Sequence, residues 1–186
     1  MIPDSRNIEK RLMKAQSRWD AVMKLDSEII RLAGKAITSM HAGMFRESSE
    51  TLGKLRHMVE SLRKIEKGFE YYSLQAHQEY VEAASLYFIL KKHRIPRAVE
   101  FKESDAAYLL GLLDVVGELK REALGALMAE DTSKASFCYK TMLEIYDSTL
   151  PMRFANPITP DFRKKQDTAR IQIENLGSDL LSAKKR

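Results

Sequence analysis

Apolar residues recur at three- and four-residue intervals along most of this chain and nowhere alternate for long. That spacing is helical, because residues three and four apart share one face of an α-helix while strands repeat every two. The first such stretch runs from about 4 to 42, with Ile8, Leu12, Ala15, Trp19, Val22, Met23, Ile29, Ile30, Ala33, Ile37 and Met40 on its apolar side and Gly43 as its cap. A second helix is expected from about 45 to 67, burying Leu52, Leu55, Val59, Leu62 and Ile65 and stopping at Gly68; a third covers roughly 69–91. Lys92 to Lys102, with Pro96 inside it, reads as a basic connector. Ser104 is a good N-cap for a fourth helix to about 129, and Asp131 or Thr132 caps a fifth to about 146. The longest loop is 150–160, and Thr159-Pro160 is expected to open the last helix. No proline lies between Asp4 and Ile95. The pattern predicts an all-α bundle of about six or seven long helices in one domain over 1–186. A first helix of about 38 residues would be ~57 Å long, more than a domain of this mass requires. Its surplus apolar surface points to an oligomer.

Composition narrows the class. Hydrophobic residues make up 44% and charged residues 31%, too apolar for disorder. The formal charge of +5 permits a polyanionic partner. The single Cys138 excludes an internal disulfide and a thiolate metal cluster, and neither a secretory signal nor a membrane span is recognisable. A cytoplasmic protein with no membrane partner is expected.

The chemistry lies in two acidic pairs. Asp114 interrupts the apolar run Tyr108-Leu-Leu-Gly-Leu-Leu-Asp-Val-Val-Gly-Glu-Leu119, with Glu118 one turn on; Glu79 and Glu82 form a matching pair in Gln78-Glu-Tyr-Val-Glu-Ala83. Each pair shares a helix face. A buried, unpartnered carboxylate costs several kcal/mol, so four of them facing one another require protons or a cation. All-oxygen ligands favour Mg²⁺ or Mn²⁺ over zinc or copper. Gly111 and Gly117 lie three residues either side of Asp114. They either clear room for an ion, waters and a phosphate, or only let helices pack closely. A carboxylate-bridged di-iron bundle needs Glu-x-x-His pairs, which neither acidic stretch supplies.

At these stretches, and at Ile29-Ile-Arg-Leu-Ala-Gly-Lys-Ala-Ile37, Met40-His-Ala-Gly43 and Phe162-Arg-Lys-Lys-Gln-Asp-Thr-Ala-Arg170, the chain resembles the translin family, in particular its Trax (translin-associated factor X) branch. The similarity runs over nearly the whole sequence. It implies a translin-like helical fold assembling into a hollow homo-oligomer, an octamer, with RNA entering the cavity. It further implies that Glu79, Glu82, Asp114 and Glu118 form a metal-dependent endoribonuclease site with Mg²⁺ or Mn²⁺. The translin branch, which lacks part of this set, implies instead a non-catalytic binder of single-stranded RNA or DNA.

Candidate RNA contacts follow from charge and from the resemblance. His77 stands where translin relatives carry a nucleic-acid-binding basic residue. Lys91, Lys92, His93, Arg94 and Arg97 form the densest basic cluster, Lys120 and Arg121 follow Glu118, and Arg163, Lys164, Lys165 and Arg170 begin the last helix. Any of them could hold a phosphate backbone without reading bases, of an RNA either single-stranded or duplex.

Overall fold

The computed structural model describes residues 3–183. Six helices account for most of them: α1 Ser5–His41, α2 Phe45–Ile65, α3 Glu70–Lys92, α4 Asp105–Met128, α5 Thr132–Thr149 and α6 Phe162–Ala183; a single 3₁₀ turn, Ala98–Glu100, lies between α3 and α4. No strand occurs among the described residues. None of these helices is long and apolar enough to cross a membrane.

Local signals explain most boundaries. Gly43 and Gly68 adopt φ of 76° and 87°, left-handed geometry that glycine enters without a Cβ penalty. Ser104 accepts the Ala107 N–H and Asp131 accepts the Lys134 N–H, so α4 and α5 begin at side-chain caps. The last helix begins later than Thr159-Pro160 suggests. Asp161 turns left-handed (φ 56°) and its N–H is held by the Asn156 side chain, so a turn absorbs Pro160 and α6 starts at Phe162.

Packing places α3 and α4 at the centre. The α1–α2 hairpin packs on α3, α5 and α6 pack on α4, and α3 and α4 pack on each other. Both central helices bury residues on several sides, Val81, Ala83 and Leu86 on α3 and Leu110, Val115, Val116 and Leu119 on α4 among them. Polar groups between them therefore sit in a partly dry seam. Gly111 sets its width: a Cβ there would lie 2.7 Å from the Gln78 carbonyl oxygen and 2.8 Å from Val81 Cβ and Cγ1. Close helix packing is thus the role of Gly111. Gly117 faces the side chain of Gln172 on α6 and borders an open cleft beside His41 and Glu122.

His77, expected as an RNA contact, is instead buried with both ring nitrogens taken by glutamates, which leaves neither open to a phosphate. Its Nε2 lies 2.8 Å from Glu66 and its Nδ1 2.6 Å from Glu103. Glu103 also accepts from Arg63 (2.6 Å) and Glu66 from Ser73 (2.6 Å). This network fastens the end of α2 and the start of α4 to the middle of α3. Burial alone would lower the His77 pKa, but the bonds to Glu103 and Glu66 outweigh it and hold the ring charged up to about 9.

The first half of α1 projects from this body, leaving Ile8, Leu12 and Met13 exposed. An apolar cleft of about 750 Å³ opens between α5 and α6, lined by Leu127, Tyr139, Leu143, Leu180 and Leu181.

Two outcomes test this packing. Gly111→Ala should lower the melting temperature by several degrees, because overpacking costs about 1–3 kcal/mol against a gain of ~1 kcal/mol in helix propensity. Gly34→Ala, with nothing within 4 Å of its added Cβ, should not lower it. A raised histidine pKa stabilises fully below the unfolded value of about 6.5, and that contribution is lost as pH rises through about 9. The wild-type melting temperature should therefore fall across that window. His77→Asn should flatten the fall and cost about 3 kcal/mol at pH 6, as expected when a buried pair is broken, while leaving RNA affinity unchanged. Unfolding followed by circular dichroism, with a filter-binding assay beside it, reads both.

Candidate functional site

The seam between α3 and α4 carries the two acidic pairs on facing turns. Because Gly111 brings the backbones together beside Gln78, the Gln78 amide reaches across to Asp114 Oδ2 at 2.5 Å. Lys165, in the first turn of α6, donates to the other oxygen, Oδ1. Asp114 is thus bracketed by an amide from α3 and an ammonium from α6. Its carboxyl is still raised above the ordinary range, since burial outweighs both donors.

Glu82 is the most buried of the four, with 8% exposure. No Lys, Arg or His among the described residues forms an ion pair with Glu82 or Glu79. Burial, then repulsion from Asp114, Glu79 and Glu118, pushes the Glu82 carboxyl up to about 9. Glu79 is raised for the same reasons, burial first and Asp114 second, against a bond from Gln75. Asp114 and Glu118 on α4 thus act across the seam on both acids of α3.

Glu118 closes the other end of the row. His41, the last residue of α1, sits between Glu118 and Glu122, 2.5 Å from each through Nε2 and Nδ1. Glu122 is also paired with Lys134 of α5 at 2.6 Å. Two carboxylate neighbours make both ring nitrogens donors. Those two bonds, outweighing burial, raise the His41 pKa to about 9. Neutral imidazole could not donate to both.

The donor set suits a hard divalent cation: four carboxylates, no thiolate, and two of the acids without a cationic partner. In this conformation, however, no three His, Cys, Asp or Glu side chains among the described residues are gathered closely enough to hold a metal ion. The physical reason is visible in the contacts. Without an ion the acids repel one another, and Lys165 and His41 supply the positive charge at Asp114 and Glu118.

Of the other basic candidates, Lys165 alone is bonded to one of the four acids. Lys120 and Arg121 line an open cleft of about 730 Å³ that begins at His41 and Glu122 and continues past Gly125 to Met128. Arg94 is held by both oxygens of Glu100 (2.8 and 2.7 Å) and stacks over Phe88, so it braces the connector rather than presenting an open fork. Lys91 lies over the Phe45 ring, and Lys92 and Arg97 are exposed. Arg163 and Arg170 pair with Asp167 and Glu174 along the exposed face of α6, and Lys164 is exposed there.

Sequence reasoning missed Gln78, His41 and Glu122 as neighbours of the acids. A signal existed for one of them. Asp114, Glu118 and Glu122 form a continuous stripe at four-residue spacing, whereas His41 lies 77 residues from Glu118 and only the fold joins them.

The likeness to known proteins covers nearly the whole chain. A family model described as the translin family matches residues 3–176. An uncharacterised protein of Methanocaldococcus jannaschii is 30% identical over 180 residues, spanning 92% of this chain and 78% of its own. The solved complex of AfC3PO with duplex RNA superposes with a TM-score of 0.89 at 28% identity, covering 96% of this chain and 95% of that one. A second AfC3PO crystal structure gives 0.88 at 30% identity with 96% of each chain covered. Apo-NeC3PO gives 0.90 over 98% of both chains at 22% identity, a likeness of fold. By sequence over most of its length, this chain belongs to the translin family.

Proposed function

We propose that this protein is a Trax-like endoribonuclease, dependent on Mg²⁺ or Mn²⁺, that hydrolyses RNA phosphodiester bonds as a closed homo-octamer. The observation that carries the reading is the row of four carboxylates in the α3–α4 seam, two of them, buried Glu82 and half-buried Glu79, without a cationic partner, with Glu82 pushed up to about 9. Structural ion pairs alone would not leave such a group uncompensated, and strongly perturbed acids gather at functional sites. Support for RNA as substrate comes from the AfC3PO relative solved with duplex RNA and from the exposed Lys92, Arg97, Arg121 and Lys164. The exposed apolar residues of α1 and the cleft between α5 and α6 offer surface for neighbouring copies.

Glu79, Glu82, Asp114 and Glu118 would hold the ion, which supplies an activated water and neutralises charge at the scissile phosphate. In hydrolysis the water oxygen forms the new bond to phosphorus, one ester P–O bond breaks, and the leaving oxygen takes a proton from solvent. Once the ion has displaced the proton that burial favours there, Glu79 or Glu82 would be the carboxylate that accepts the proton lost by the attacking water. The protonated state that burial imposes on Glu82 is the state a cation would displace.

A second reading is a binder of single-stranded RNA or DNA without catalysis. The pairing of Asp114 with Lys165 and of Glu118 with His41 favours it, because both acids are already compensated.

Cleavage of labelled single-stranded and duplex RNA separates the two. With Mn²⁺ or Mg²⁺ the wild type should cut both ends-blocked substrates internally, and EDTA or Asp114→Ala should reduce the rate roughly 100-fold or more. Equal rates in all three samples would overturn the catalytic reading, and RNA retention without cleavage would establish the binder. Stability gives an independent check on Glu82. Its folded pKa is raised, so its contribution to stability declines as pH rises from about 4.5 through about 9. At pH 8 Glu82→Gln should therefore raise the melting temperature of the metal-free protein by several degrees, with little change at pH 4. The same substitution should abolish the rise that Mn²⁺ produces in the wild type, since binding to the folded state is what stabilises.

A further inference from the structure

Lys165 is bonded to Asp114, one of the four acids proposed to hold the ion. Phe162 and Gln166 are buried on either side of it, and Gln166 is tied to the Thr149 carbonyl (2.6 Å), so the first turn of α6 is fixed and delivers the Lys165 stem onto α4. Its ammonium bonds Asp114 Oδ1 while Gln78 takes Oδ2, leaving neither oxygen of Asp114 without a protein donor. Among the described residues, no other cation forms an ion pair with Asp114, Glu79 or Glu82. Lys165 pairs with Asp114 and lowers the Glu79 and Glu82 carboxyls only through its field. Lysine is a compact point charge on a flexible four-carbon stem, with three donors and no acceptor. The Lys165 side chain is 23% exposed, so the stem has an outlet to solvent from the seam.

We propose that Lys165 is a built-in counter-cation that exchanges with the divalent ion at Asp114, and that the released ammonium then binds a phosphate of the RNA. This inference rests on the nuclease reading of the same acids. Two cations on one carboxylate oxygen repel each other, so the metal and Lys165 compete for Asp114. RNA phosphate, by drawing the ammonium away, makes Asp114 available to the metal; the metal, by displacing the ammonium, makes Lys165 available to phosphate. Linkage requires the two effects to be equal, so metal and RNA bind with positive coupling. The site is then held in a compensated resting state until both arrive, and solitary metal is bound weakly.

The test measures Mn²⁺ affinity from the spectrum of free Mn²⁺ by electron paramagnetic resonance. Wild type, Lys165→Met, Lys165→Gln and Asp114→Ala are compared with and without a 2′-O-methyl RNA duplex. Lys165→Met removes the charge and keeps the stem, and Lys165→Gln keeps a hydrogen-bond donor without charge. Without RNA, both should bind Mn²⁺ about ten-fold more tightly than wild type, within the usual range of coupling. The RNA should tighten Mn²⁺ binding several-fold more in the wild type than in either variant. Melting of the metal-free variants, lowered but cooperative, verifies that they fold. A Lys165 that merely braces the fold or contacts RNA directly predicts unchanged or weaker Mn²⁺ binding in both variants, and that result overturns the proposal while the nuclease reading stands. If wild type and Asp114→Ala bind Mn²⁺ equally, the metal site itself fails and the exchange falls with it.

Discussion

The approach of α3 to α4 at Gly111 is the contact on which the rest of the site depends. With the carbonyl of Gln78 and the side chain of Val81 against the α4 backbone, no side chain larger than hydrogen fits between the helices. That closeness lets Gln78 span the seam to Asp114 and puts Glu82, the residue after Val81, within repulsive range of Asp114 and Glu118. A wider seam would admit water and relax the repulsion. The two most apolar helices thus enclose the least comfortable charges in the molecule, and the cost is spread over a core to which all six helices contribute.

Compensation comes from outside the seam. α1 contributes His41 at its C-terminal end, where the helix dipole itself favours a cation, and α6 contributes Lys165 near its start. α5 adds Lys134 behind Glu122. The central pair brings negative charge and the flanking helices bring positive charge, so mutual attraction helps orient the outer helices on the inner ones. The separate cluster around His77 uses the same device at the other side of α3, but there every acid has found a donor and the group reads as a fastening.

Much of the architecture was legible in the chain. The period of three and four residues marks all six helices, glycine marks two ends, and Ser104 and Asp131 mark two beginnings. The acidic pairs stand out because Asp114 interrupts an aliphatic run and Glu82 precedes one. What was not legible depends on contacts far apart in sequence. His77 beside acids looks like a surface contact until Glu66 and Glu103 are seen to enclose it. Arg94 looks available until the connector folds Glu100 back onto it. Lys165 differs from Lys164 only in the direction it leaves α6. Pro160 misled for a local reason, since Asn156 captures the Asp161 N–H and a turn takes precedence over the helix start that proline favours.

The four acids all belong to two adjacent helices of one polypeptide, and their cationic neighbours His41 and Lys165 belong to it as well. Whatever assembly the chain enters, each copy brings a whole set rather than a half awaiting its complement. A substitution that spoils the acids of one copy therefore leaves the carboxylate set of every other copy intact.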